Sequence, residues 1–568
     1  MKLSKFSLLL ALGLLLSIFM VACSSGEEGS TETKDGDSGE TTEEPAEEPA
    51  EEPAEQVLNL LNGDTIPTMD ASLATDEYAF QFLGTTMEGL YRLGEDAKLT
   101  PGIATEHKVS EDALTWTFTL REDAVWENGD PVTAHDFVYA WQRAVNPKTG
   151  SEYGPYMMGG VIKNATAISA GEKPVKELGV KAEGDYTLVV TLEKPTPYFE
   201  SLTAFGTFLP LNQKFVEAQG DKYATSSETL LANGPFLLDG WKSTSTSWDL
   251  VKNEKYWDAE TVQLTKMTYD VVKDPQVAVD LYEKGEVQRA GISAELVDKY
   301  SSHDDFTITP ETSLFYLKFN QTTSDALANV NIRKALSKSI NKQALVDEVI
   351  NNGSIVSNGY VPADFSAHPE TGEDFREING DLVTYDPEKA KELWKKGLEE
   401  IGKTEVSLEF LGGDGETTKI MNEYLANQME SNLEGLEITL KQVPFEQRLE
   451  LDTNMDYDIQ FSGWGPDYLD PYTWLNLWLT DGGNNKMGYS NPEYDKLVQS
   501  TVNELALDPV KRFEAFLKAE KILAEDAAVA PLYQSARAQL ISPSIKGVIN
   551  NPMGATYEYK WASVGAAE

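Results

Sequence analysis

The chain has 568 residues, 41% of them hydrophobic and 10% aromatic, with a formal net charge of -46. That length exceeds one ordinary domain and allows two or three lobes with substantial cores, while so acidic a surface repels phosphates and argues against nucleic acid as a partner. A single cysteine, Cys23, excludes an intrachain disulfide, so stability must come from packing.

Lys2 and Lys5 precede an apolar run from Phe6 to Phe19, which Met20-Val21-Ala22-Cys23 closes. The run is too short for a bilayer span and ends at a small residue, the pattern of a secretory signal. The closing tetrapeptide resembles the lipobox of bacterial lipoproteins, with Met20 where Leu is usual. The resemblance implies a signal peptide over 1–22, a lipid on Cys23 as the mature N-terminus, and a location on the outer face of the bacterial cytoplasmic membrane. A plain signal peptide with an incidental cysteine is the alternative. Residues 24 to 56 carry thirteen acids and one lysine, with Glu-Glu-Pro-Ala repeated from Glu43 to Ala54. Such a segment cannot bury enough apolar surface to offset its ordering entropy, so 23–56 reads as a disordered tether. As a flexible coil it reaches on the order of 30 Å, and charge repulsion extends it.

Val57-Leu58-Asn59-Leu60 reads as the first strand. Leu114, Trp116, Phe118 and Leu120 alternate with Thr115, Thr117, Thr119 and Arg121, the period of a half-buried strand. A turn is expected at Asn128-Gly129-Asp130-Pro131. Thr133 then caps a helix, with Asp136 at its third position and Phe137, Ala140, Trp141, Ala144 and Val145 on its apolar face. Leu188 to Leu192 reads as a strand stopped by Pro195 and Pro197. Helices are expected over Asn331 to Ile350, Pro387 to Glu400 and Pro509 to Asp526, the last opened by Asp508 and Pro509. Strands and helices alternate without a fixed repeat, which predicts an α/β body with mixed sheets.

The stretch from Leu114 to Arg143, with Ala124-Val125-Trp126, Pro131-Val132-Thr133-Ala134 and Asp136-Phe137-Val138-Tyr139-Ala140-Trp141, resembles the oligopeptide-binding lipoproteins of ABC importers, the family 5 extracellular solute-binding proteins. Asn233-Gly234-Pro235-Phe236, Tyr256-Trp257-Asp258, Arg333-Lys334-Ala335-Leu336 and Gly463-Trp464 with Asp467-Tyr468 extend the resemblance to the C-terminus. Trp116, Phe118 and Trp141 read as core, so these strings identify a fold and not a ligand. The resemblance implies a type II periplasmic-binding-protein-like clamp with mixed sheets. Lobe I would comprise 57–87, 212–313 and 534–568, the extra domain of the large peptide binders 88–211, and lobe II 314–533. A peptide would lie extended between the lobes and pass to a membrane-embedded ABC permease with its ATPase subunits. No cofactor or metal is implied, and a monomer is expected.

An extended peptide offers a charged amine and regularly spaced backbone groups. Protein backbone can pair with the latter, but the amine needs a carboxylate when it leaves water. Gly463-Trp464-Gly465-Pro466-Asp467 suits that chemistry, since the glycines permit close backbone approach and Trp464 can form an apolar wall. The resemblance places Asp467 on the peptide's α-amino group; a loop aspartate capping a turn is the alternative. Asp470, before Pro471, is expected to hold the loop. Tyr153 and Phe445 correspond to positions lining the family's cleft. Phe315 and Tyr316 stand near the start of the second lobe, and Thr75, Asp76 and Glu77 fall where the first lobe offers backbone. Two positions that carry basic residues for the ligand's C-terminal carboxylate in well-studied members are here Asp452 and Phe461, so another carboxylate partner or longer peptides must be considered.

Enzymatic function finds no support: G-x-S-x-G and H-E-x-x-H are absent, and His107, His135, His303 and His368 are scattered. Scarce histidine also weakens nickel and haem. An oligosaccharide binder, for which eleven tryptophans provide stacking faces, and a peptide-pheromone receptor remain alternatives.

Overall fold

The structure is a computed structural model and describes residues 55–565, apart from the side chains of Asp96 and Glu295. The expected signal peptide, lipidated Cys23 and nearly all of the acidic tether lie outside the described residues.

Three sheets carry the fold. In the first, Val57–Asn62 runs parallel to Lys266–Val271, followed antiparallel by Ser247–Lys252 and Phe236–Asp239. Leu58 and Leu60 alternate inward with Met267 and Tyr269 beside them. The residue before this edge strand is stitched to the far end of the chain. The Gln56 amide donates to Val564 O at 2.7 Å and accepts from Val564 N–H at 2.9 Å.

The second sheet is antiparallel, in the order Ala104–Val109, Thr115–Leu120, Thr187–Thr191, Val180–Ala182. Phe118 and Leu120 are buried and Trp116 half-buried, as the alternation requires. Helix Ala134–Val145 opens where Asp136 accepts the Thr133 N–H at 2.7 Å. Its Trp141 is fully buried and donates to Phe208 O at 2.9 Å. The turn before it forms with Gly129 at φ 90°, and Asp130 N–H bonds the Asn128 side chain at 2.9 Å. This sheet and the first one pack around one continuous apolar core.

The third sheet has seven strands. Arg289–Ile292, Val529–Ile541, Phe306–Phe319, Ile459–Trp464, Val406–Gly413 and Leu436–Val443 lie in that order, with Ile355–Val356 also paired to Val529–Ile541. Val406–Gly413 is parallel to both its neighbours and the other pairings are antiparallel, so the sheet is mixed. The two long strands Phe306–Phe319 and Val529–Ile541 form a ribbon between separate cores. Ala538 and Leu540 pack with Val279 and Ile292 at one end, while Leu317, Phe319, Ala530 and Leu532 enter a larger core at the other. Register shifts between Pro310 and Leu314, and again between Phe315 and Tyr316, break the ladder midway. Such bulges bend and twist a strand pair locally.

Helices Pro387–Ile401 and Pro509–Glu525 open on Asp386 and Asp508, each accepting a backbone N–H with Pro in the first turn. The single helix expected from Asn331 to Ile350 is instead broken. Val330–Lys338 ends, Asn341 caps a new turn by accepting Ala344 N–H at 3.1 Å, and Lys342–Ala344 widens into a π-helical turn over Leu345–Ile350. Ile332, Ala335, Leu336 and Ile340 are all buried, so the apolar spacing carries across the break and hides it. Among the described residues no helix is long and apolar enough to cross a membrane.

Candidate ligand-binding site

A cavity of about 710 Å³ opens between the first sheet, the second-sheet region and the large sheet. Thr75, Asp76, Glu77, Tyr153, Phe315, Tyr316, Phe445, Gly463, Trp464, Gly465 and Asp467 all line it.

Strand Ile459–Trp464 delivers the Gly465-Pro466-Asp467 loop to the cavity wall. Asp467 N–H donates to Thr473 Oγ1 at 3.1 Å, which orients the residue inward. Its side chain is only 4% exposed and makes no ion pair among the described residues. Tyr156 donates its hydroxyl to Asp467 Oδ2 at 3.0 Å, with Asn476 Oδ1 a second acceptor at 3.3 Å. Burial pushes the Asp467 carboxyl up to about 8, and the Tyr156 bond only partly opposes this. Asp470 differs. Arg512 grips it through both oxygens, Nη2 to Oδ1 at 2.7 Å, and it lies outside the cavity lining.

Aromatic rings build the wall beside Asp467. Tyr153 stacks near-parallel on Trp464 at 6.2 Å and on Phe205 at 5.9 Å, with Phe80 tilted at 5.2 Å. Phe315 stacks on Tyr533 at 4.8 Å and on Phe461 at 5.6 Å, while Tyr316 meets Trp478 edge-on at 5.3 Å. The close approach at Gly463 is internal: a Cβ there would stand 2.6 Å from Phe315, its cross-strand partner. Gly463 therefore makes room for a protein ring while also lining the cavity.

Thr75, Asp76 and Glu77 open helix Glu77–Thr86. Asp76 caps it, accepting Ala79 N–H at 3.0 Å. Burial pushes the Asp76 carboxyl up to about 7, against the pull of that bond. Phe445 starts helix Phe445–Thr453 and faces Tyr78 edge-on at 5.3 Å.

A charged cluster that the residue patterns did not single out completes the lining. Lys318, 3% exposed, pairs with Asp452. The Gln460 amide, turned so that its nitrogen faces Asp452, donates there at 2.5 Å and accepts from Arg448 Nη1 at 3.1 Å. Lys486 pairs with Glu152 at 3.3 Å. Arg448 lines the cavity with no ion pair among the described residues. Asp452 thus neutralises Lys318, and Arg448, one helical turn before it, is the cation left facing the space. The available signal was Lys318 itself, a lysine inside the apolar run Leu314-Phe315-Tyr316-Leu317-Lys318-Phe319. Among the described residues no cluster of metal-ligating side chains occurs.

Mixed-sheet bodies joined by a two-strand ribbon, with an aromatic-walled cavity between them, define a solute-binding clamp. Residues 98–486 match the family described as "Bacterial extracellular solute-binding proteins, family 5 Middle", and the chain belongs to that family. It is 35% identical to a dipeptide-binding protein of Lactococcus lactis subsp. cremoris over 88% of this chain and 92% of the relative. Listeria monocytogenes OppA bound to peptide superposes with a TM-score of 0.86 at 44% identity, covering 90% of this chain and 99% of the other. The pheromone receptor PrgZ superposes with a TM-score of 0.86 at 35% identity, covering 90% of this chain and 100% of the other.

Proposed function

We propose that the chain is the extracytoplasmic receptor of an ABC-type peptide importer. It captures oligopeptides between two lobes and passes them to a membrane-embedded permease with ATPase subunits. The observation that carries this reading is Asp467: a buried carboxylate on a cavity wall, held by a hydroxyl and by no cation. A peptide's α-ammonium supplies the missing charge, and burial makes the pairing strong. The aromatic surfaces of Trp464 and Tyr153 then take side chains without specifying them.

In this reading the lobes are 57–87 with 212–313 and 534–568, against 314–533, so both crossings fall within the bulged ribbon. Residues 88–211 form the extra domain, and Thr75 to Glu77 offer backbone to the ligand. A lipid on Cys23 holds a monomeric receptor at the outer membrane face, and the protein binds without catalysing. The likeness to PrgZ supports a second reading, a receptor for a signalling peptide, which would use the same cleft.

Calorimetry with a short peptide library, each member free and N-acetylated, tests the reading. Free peptides bind and their acetylated forms bind far more weakly. Equal affinity of the two forms overturns the role of Asp467.

A further inference from the structure

On the rim of the cavity one lysine joins carboxylates from two different sheets. Asp64 follows strand Val57–Asn62 and Lys273 follows its parallel partner Lys266–Val271, so both stand at the same end of the first sheet. Asp414 follows Val406–Gly413 of the large sheet. Lys273 Nζ lies 2.9 Å from Asp64 Oδ2 and 2.8 Å from Asp414 Oδ1. The second Asp64 oxygen accepts Thr65 N–H at 2.8 Å, which fixes that carboxylate. Nearby, the Ser293 and Thr417 hydroxyls meet at 3.2 Å.

The two partners of Lys273 are not equivalent. Asp64 belongs to the lysine's own sheet and stays with it when the bodies part. Asp414 leaves with the other body. Opening therefore costs Lys273 one of two partners and leaves Asp414 without its cation, while the ribbon keeps both bodies attached.

We propose that Lys273 is an electrostatic latch across the ligand cleft. Its bond to Asp414 favours the closed arrangement and slows ligand escape, and Asp64 keeps the ammonium aimed for the next closure. This inference rests on reading the cavity as an inter-lobe cleft. The pair is about one-third exposed on each side, so its effect is modest, roughly fivefold in the closed population, and weakens as salt screens it. A small bias of this kind suits a receptor that must also release its ligand.

The test uses the full chain carrying Cys23→Ser, with spin labels at Lys284→Cys and Lys395→Cys, both exposed and on opposite bodies. In ligand-free protein, Lys273→Met and Asp414→Asn shift the label distances toward the longer, open population. Both raise peptide dissociation about fivefold with little change in association. The swap Lys273→Glu with Asp414→Lys restores both readouts, because the ammonium then sits on the large sheet and faces two carboxylates on the first, the introduced one and that of Asp64. Unchanged distances and dissociation in the single variants overturn the latch. A wild-type chain that binds no peptide overturns the peptide reading, while the ligand-free distances still decide the latch.

Discussion

The Tyr156 hydroxyl donates to Asp467 Oδ2 at 3.0 Å across the cavity wall. It links a helix beside the second sheet to the loop after Ile459–Trp464. This bond satisfies one carboxyl oxygen and brings no cation, so the group keeps its proton until a cationic ligand group takes the proton's place.

Asp467→Ala removes the partner of the ligand ammonium. Breaking a buried pair costs about 3–5 kcal/mol, so affinity for free peptides falls by two orders of magnitude or more. N-acetylation should weaken wild type by a similar amount and add little loss in the variant. Calorimetry on the four combinations checks this non-additivity.

Binding should also be coupled to protons. The Asp467 carboxyl rises from 3.8 to about 8 through burial. Between those values the folded, ligand-free protein holds a proton that the unfolded chain has released, so this group lowers stability as pH rises through that window. An ammonium favours the carboxylate, so ligand uptake below about pH 8 expels the proton. Affinity climbs from about pH 5 toward pH 7.5, then levels as the peptide amine approaches its own pKa of about 7.7–8.0. Calorimetry in buffers of different ionisation enthalpy reads the released proton. Tyr156→Phe moves the profile upward in pH, because the lost hydroxyl had favoured the charged form.

Arg448→Gln tests the cation on the cavity lining. Losing a charge-assisted contact costs about 1.5–3 kcal/mol. Peptides with a free C-terminal or side-chain carboxylate should lose that much, and peptides without either should lose little. Arg448→Lys should retain part of the preference. Equal losses for charged and amidated peptides would assign Arg448 to packing against Phe445, whose ring lies 5.0 Å away.

Gly463→Ala drives a Cβ to 2.6 Å from Phe315. Phe315 stacks on both Tyr533 and Phe461, so its ring yields only by giving up that stacking. Overpacking costs about 1–3 kcal/mol, seen as a lower thermal midpoint. Gly465→Ala, 3.2 Å from the movable Ser313 hydroxyl, should cost less.

Local periodicity made much of the fold readable. Trp116, Phe118 and Leu120 lie where a period of two puts them, and the Thr133–Asp136 cap needs only neighbours in sequence. The break at Asn341 is hidden in the sequence because buried Ile340 keeps the helical spacing. The Lys318–Asp452–Arg448 cluster escaped for a different reason. A strand and a helix far apart in sequence assemble it, and no local pattern reports that Asp452 is neutralised from outside its own helix. A glycine at 463 implies freedom of approach, but the approaching partner, Phe315, becomes visible only through strand register.

The Gln56–Val564 bonds and the edge strand Val57–Asn62 have a mechanical consequence. A pull transmitted along the chain from residue 55 runs lengthwise along that strand, past its partner Lys266–Val271. The rungs of the pair are then loaded together, in shear, not peeled one at a time. Gln56 passes part of the same load to Val564, at the opposite end of the polypeptide. Segments from both ends of the described residues thus meet at one point, and tension arriving at residue 55 is shared across the first sheet.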